Sequence, residues 1–198
     1  VLRRHDILLI YDEVITGFGR TGTLFGMQQY GVIPDIVSFA KGITSGYVPL
    51  GGVGVTDAIF DVLSSPDRMF MHGFTYSGHP VACAVALRNI DILLNERLPE
   101  NAGEIGRYLL EQFGTLLDRP YVGNVRGKGL MLLIELVADK ETKAKFPADF
   151  RLGDKLQEAT RKRGVIVRCT GDGVVMAPPL TLTREEADFL LNAVSEAI

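Results

Sequence analysis

Two apolar runs constrain this chain most. Ile7-Leu8-Leu9-Ile10-Tyr11 leads into Asp12-Glu13-Val14, and Ile33-Pro34-Asp35-Ile36-Val37-Ser38-Phe39-Ala40 leads into Lys41-Gly42. Neither alternates apolar with polar, as a strand with one wet face does. Near-continuous apolarity over strand length marks a strand covered on both faces, and such strands belong to parallel sheets. Open parallel sheets bind ligands at the C-terminal ends of their strands. Here those ends carry carboxylates in one case and an amine in the other. An amine held there can form a Schiff base with a carbonyl compound. An acid beside it can hold a pyridinium nitrogen. Together these are the needs of pyridoxal phosphate chemistry.

The rest of the pattern predicts an α/β chain. Between the two runs lie a glycine-rich turn and a short helical stretch, Leu24 to Tyr30. Gly51-Gly52-Val53-Gly54-Val55 reads as a further core strand, with glycines that permit close backbone approach or a bulge. Helices are predicted over Thr56 to Leu63, capped by Thr56 or Asp57, over Val81 to Leu94 with Pro80 in the first turn, and over Ala102 to Leu117. A domain boundary is expected near residue 100, giving 1–100 and 101–198. In the second part, Val125-Arg126-Gly127-Lys128-Gly129 reads as a turn into a strand from Leu130 to Leu136. Asp149 to Arg163 reads as a charged amphipathic helix ended by Gly164. Val165 to Arg168 and Val174 to Met176 read as a hairpin turning at Gly171-Asp172-Gly173. Thr183 and Glu186 have the spacing of a capping box for the last helix.

Composition narrows the function classes. A net charge of -3 argues against a broad nucleic-acid footprint. Cys83 and Cys169 make no disulfide framework, which fits a reducing cytoplasm. No apolar run reaches the roughly 18 residues that span a bilayer. His72 and His79 lack the partners and spacing of a zinc site, so no metal is expected. The start, Val1-Leu2-Arg3-Arg4-His5, reads as a helix end feeding straight into a core strand, so a longer parent chain is expected.

Three motifs occur in order: Asp12-Glu13-Val14-Ile15-Thr16-Gly17-Phe18-Gly19-Arg20-Thr21-Gly22, the Lys41 segment, and His72-Gly73-Phe74-Thr75-Tyr76-Ser77-Gly78-His79-Pro80. With them the chain resembles the C-terminal part of a class III pyridoxal-phosphate aminotransferase, in the omega-amino-acid and amine:pyruvate branch. The resemblance covers essentially the whole sequence. It implies the type I fold of pyridoxal-phosphate transferases: part of a large domain with a mainly parallel sheet, then a small C-terminal α/β domain.

The resemblance also implies roles. Lys41 carries pyridoxal 5'-phosphate as a Schiff base and, once released, moves the proton between the substrate α carbon and the cofactor. Asp12 keeps the pyridinium nitrogen protonated. Val14, two residues on and on the same strand face, packs against the ring. Thr75 reaches the phosphate of the neighbouring subunit's cofactor, and Phe74 adds a backbone contact. Arg168 grips a substrate carboxylate and swings aside for an apolar group. Glu13 is expected to orient backbone or Arg20. A homodimer or larger homo-oligomer follows, because Thr75 serves the opposite site.

Many members of the wider family have glutamine three residues after the aspartate, where this chain has Ile15. That departure points away from ornithine, acetylornithine and 4-aminobutyrate as substrates. The expected reaction moves an amino group from an amine or omega-amino acid to a keto acid, pyruvate first. A glutamate-semialdehyde-type aminomutase, a dialkylglycine-type decarboxylase and a non-catalytic cofactor-binding subunit stay open as alternatives. Dependence on a keto-acid acceptor separates the enzyme readings.

Overall fold

The computed structural model describes residues 1–198, and the chain divides into two units, Val1–Pro99 and Glu100–Ile198. In the first unit the two apolar runs do pair in parallel. Strand β1 (Ile10–Asp12) lies beside β2 (Ile36–Phe39), with Asp12 opposite Ser38. Both strands are shorter than their runs, and Asp35 is the reason. Its carboxylate accepts from the Leu9 amide at 2.7 Å, while the Leu9 carbonyl takes both Asp35 and Ile36 amides, at 2.9 and 3.1 Å. A side chain thus replaces a rung of the ladder.

Strand β3 (Gly52–Val55) joins the other side of β2 antiparallel, with Gly52 opposite Phe39. The sheet is therefore mixed rather than mainly parallel. The connection from Phe39 to Gly52 contains one 3₁₀ turn, Lys41–Ile43, and no crossover helix to carry the chain back for a parallel return. Helix α1 (Asp57–Leu63) starts after Thr56, whose side chain makes no capping bond. Helix α2 (Pro80–Asn95) has its proline in the first turn, where no amide is needed. Its buried stripe is Ala82, Ala86, Asn89 and Leu93, the spacing of one helix face. On β1 and its approach, Ile7, Leu8 and Ile10 remain 53%, 58% and 60% exposed. The cover that such a run calls for is not supplied within these residues. No helix is long and apolar enough to cross a membrane.

The second unit holds all but the first two residues of helix α3 (Leu98–Gly114), strands β4 (Val122–Lys128) and β5 (Met131–Leu136), helix α4 (Leu152–Lys162), strands β6 (Arg168–Thr170) and β7 (Gly173–Met176), and helix α5 (Arg184–Ala197). Its sheet runs β4-β5-β7-β6, antiparallel throughout. Leu132, Ile134 and Leu136 alternate inward along β5 and meet Leu109 and Phe113 of α3 and Val194 of α5 in one core. Thr183 and Glu186 form the capping box that opens α5.

Three expectations need correction here. Residues 125–129 are not a turn: all but Gly129 lie in β4, an edge strand whose solvent-facing residues are polar for the usual edge reasons. Strand β6 starts at Arg168, not Val165. The Val165 amide bonds back to the Thr160 carbonyl at 3.0 Å across left-handed Gly164, so it closes α4 instead. And α4 starts at Leu152, because Arg151 is left-handed (φ 54°) and separates it from a short 3₁₀ turn at Ala148–Phe150.

Helix α3 lies directly on the β4–β5 turn. A Cβ on Gly106 would stand 2.1 Å from the Gly129 carbonyl oxygen. Alanine normally favours a helix over glycine by about 1 kcal/mol. Overpacking against backbone costs about 1–3 kcal/mol or more, so it wins. Gly106→Ala is expected to lower the thermal midpoint of the protein by several degrees. An unchanged midpoint in differential scanning calorimetry would refute the contact.

Candidate active site

Parallel pairing brings the acid and the amine to one edge. Asp12 is the last residue of β1, and Lys41 follows the end of β2 by two residues. The Asp12 carboxylate is oriented through Oδ1, which accepts from the Val14 amide at 3.1 Å and the Ser38 hydroxyl at 3.5 Å. Asp12 and Lys41 are both exposed, and neither takes part in an ion pair within the chain. No group of three or more His, Cys, Asp or Glu side chains is arranged to hold a metal ion.

Lys41 sits on unusual backbone. Its φ is 44°, in the left-handed region that side chains rarely adopt, and Ser45 (φ 50°) and Gly46 (φ 80°) follow in the same region. Beneath it, Gly42 is pressed on the motif loop: a Cβ there would meet Phe18 Cβ at 2.8 Å and the Gly17 carbonyl at 3.2 Å. Phe18 in turn packs with Phe25 and Phe39, ring centroids 5.3 and 5.9 Å away. The acid-bearing loop and the amine-bearing loop are thus fixed to each other through one aromatic cluster.

Glu13 supports the acid from behind. It is 2% exposed and accepts from the Gly26 and Met27 amides at 2.8 and 2.6 Å and from the Thr16 hydroxyl. It orients backbone, while Asp12 next to it faces outward. Arg20 is half-buried, and burial lowers its pKa from the ordinary value. Val14 is not on the strand face with Asp12, since β1 ends at Asp12 and Val14 begins the turn. What holds it near the carboxylate is its own amide.

Phe74 and Thr75 lie together in the exposed segment between α1 and α2. The Phe74 amide already donates to the Ser77 hydroxyl at 3.1 Å, so it is engaged locally rather than free for a ligand. Arg168 belongs to the second unit, where it opens edge strand β6 opposite Val175 and makes no ion pair. Its neighbour Cys169 is half-buried, and burial raises the thiol pKa, which leaves it a weak nucleophile.

One buried group escaped the sequence reading. Asn89 of α2 is 9% exposed, and its amide nitrogen donates to the carbonyls of Gly42 and Ile43 at 2.8 and 3.0 Å. Its oxygen accepts from the Ser45 hydroxyl at 2.6 Å. The available signal was its phase: it is the one polar residue on the buried stripe of Ala82, Ala86 and Leu93.

The family model for aminotransferase class-III matches residues 1–198. The chain belongs to the class-III aminotransferases. This class-III chain is 47% identical over 193 residues to the putrescine–pyruvate aminotransferase of Pseudomonas aeruginosa, covering 97% of this chain and 42% of that protein. Among solved structures it is similar to a thermostable (S)-enantioselective omega-transaminase from Thermomicrobium roseum, at 72% identity and a TM-score of 0.96, covering 99% of this chain and 44% of that one. It is also similar to a PLP-bound amine transaminase from an uncultivated Pseudomonas species, at 46% identity and a TM-score of 0.93, covering 98% and 45%. The α/β architecture is the one these transaminases share over the matched stretch. The class-III chain spans less than half the length of these relatives.

Proposed function

We propose that the whole protein transfers an amino group from an amine or omega-amino acid to a keto acid, with pyruvate as acceptor and pyridoxal 5'-phosphate as cofactor. One observation carries this: a carboxylate and an amine, each without an ionic partner in the chain, close two hydrogen-bonded parallel strands in a class-III aminotransferase. The donor set fits the group, because an aldehyde needs an amine and a pyridine nitrogen needs an acid. When bound, the cofactor supplies the carbon that takes up nitrogen and a ring that spreads negative charge.

The residues then divide the work. Lys41 offers its amine as nucleophile to a carbonyl and as the base and acid at the substrate α carbon. Asp12, held through Oδ1, presents its charge toward the ring nitrogen. Val14 gives an apolar contact to the ring. The Thr75 hydroxyl binds phosphate, and its exposure on one protomer fits a role toward a second copy; the working form is then a homodimer or larger homo-oligomer. The Phe74 amide joins only by exchanging its bond to Ser77. Arg168 binds the keto-acid carboxylate as a charge-assisted pair. Residues 1–100 are read as part of the large cofactor-binding domain and 101–198 as the small domain. Two free cysteines fit a reducing cytoplasm.

The test is a donor and acceptor panel on the full-length protein, including 4-aminobutyrate and simple amines as donors. Formation of alanine from pyruvate is the expected result. Isomerisation without an acceptor, or release of carbon dioxide, would overturn the reading. Arg168→Ala belongs to the same experiment. Loss of a charge-assisted hydrogen bond is worth about 1.5–3 kcal/mol, so the pyruvate half-reaction should weaken by about tenfold to a hundredfold. The half-reaction with a simple amine should change little. Equal damage to both, followed separately by stopped-flow absorbance, would assign Arg168 a structural role.

A further inference from the structure

We infer that Asn89 is the positioning residue that holds Lys41 in its working conformation; the inference rests on the lysine role proposed above. A left-handed non-glycine residue costs about 1–3 kcal/mol and persists only where its surroundings over-determine it. Lys41 and Ser45 are two such residues bracketing one short loop. Within the loop the backbone makes only turn bonds, Ile43 to Ala40, Thr44 to Lys41, Ser45 to Gly42 and Tyr47 to Thr44, at 3.2, 3.3, 3.3 and 3.1 Å, and the buried Thr44 hydroxyl donates to the Val48 carbonyl at 2.6 Å. The restraint on the carbonyls next to Lys41 comes from outside the loop. Asn89 reaches in from α2 and binds two consecutive carbonyls and one hydroxyl, at 2.8, 3.0 and 2.6 Å.

The chemistry of the side chain suits the task. Two carbonyls need two donors, and a hydroxyl needs an acceptor. A primary amide supplies all three from one planar group, and these partners fix which end carries nitrogen. No other residue of similar size does. Aspartate would turn both donors into acceptors facing carbonyl oxygens. Alanine would take the only side-chain donor from the Ile43 carbonyl and leave the Gly42 carbonyl with its longer backbone bond alone. The bonds land on Gly42 and Ile43, the two residues immediately after Lys41. Asn89 therefore sets the direction in which the lysine leaves the loop, without touching any ligand.

Glycine at 42 completes the device. Its lack of a Cβ lets the loop settle on Phe18, so the loop is held from the motif side by packing and from the α2 side by hydrogen bonds. Small displacements of a reacting group from its productive geometry are costly, on the order of a hundredfold for 1 Å.

The experiment uses the full-length protein with Asn89→Ala, Asn89→Asp and Ser45→Ala. Three readouts are compared: kcat and KM, the rate at which the apoenzyme takes up pyridoxal phosphate covalently (trapped with borohydride), and hydrogen exchange of the 42–47 amides. Both Asn89 variants should lose about tenfold to a hundredfold in kcat and in the trapping rate, with KM within about threefold. Exchange should rise at 42–47 while the α2 interior stays protected. Ser45→Ala, which removes one of three bonds, should shift the same readouts in the same direction by less. If Asn89→Ala does not fold, Asn89→Asp and Ser45→Ala carry the test. A lower melting temperature with trapping and kcat at wild-type values would overturn the inference and leave the lysine assignment standing. Borohydride labelling of a different lysine in the wild type would instead overturn the assignment itself.

Discussion

Replacing Lys41 with alanine in the full-length protein should abolish turnover. Two functions leave with one amine: the nucleophile that anchors the cofactor and the group that moves the proton. Proton transfer by a positioned side chain alone contributes about 10²–10⁴ in rate, so a combined loss of at least about 10⁴ is expected. The fold should survive, because the side chain is exposed and makes no ion pair. Reduction of the wild-type holoenzyme with borohydride followed by peptide mapping should place the label on Lys41. Steady-state turnover within about 10³-fold of wild type by the alanine variant would remove the assignment.

Asp12→Asn should be severe but less damaging, and should leave the local structure intact. The amide keeps an oxygen to accept from Val14 and Ser38, so the turn after β1 is preserved. What disappears is the negative charge that faces the ring nitrogen. Removal of a preorganised electrostatic partner costs on the order of 10²–10³ in kcat. Single-turnover rates within a few-fold of wild type would show that Asp12 is not that partner. Circular dichroism unchanged from wild type is the control that separates lost charge from lost fold.

The strand edge that joins these two residues was readable in the sequence, because apolar runs ending in charge leave few alternatives. The limits of the reading have physical causes. Strand length was overestimated because Asp35 lends a side-chain oxygen to the Leu9 amide, and a ladder interrupted by a side chain looks like a ladder in one dimension. The direction of β3 was not written in Gly51–Val55 at all; it depends on the helix-free connection before it. β4 looked like a turn because an edge strand is polar for solubility and glycine-bearing for close approach. A Cβ on Gly127 would lie 2.4 Å from the Met131 carbonyl. Val14 obeyed strand alternation on paper, but the strand stops two residues before it. Asn89 was silent because its partners lie 44 to 47 positions away and its neighbours on the helix are ordinary core residues.

The left-handed backbone at Lys41 sets stability against heredity. Glycine would adopt φ 44° without steric penalty, and its extra entropy of unfolding, about 0.5–1 kcal/mol, is smaller than the strain it would relieve, about 1–3 kcal/mol. The most stable residue for this position is therefore not the one it carries. A lineage selected only for heat tolerance would drift toward glycine there, and a laboratory evolution campaign that scored melting temperature without turnover would discard the amine among its first gains. The lysine persists only where each generation is also judged on chemistry.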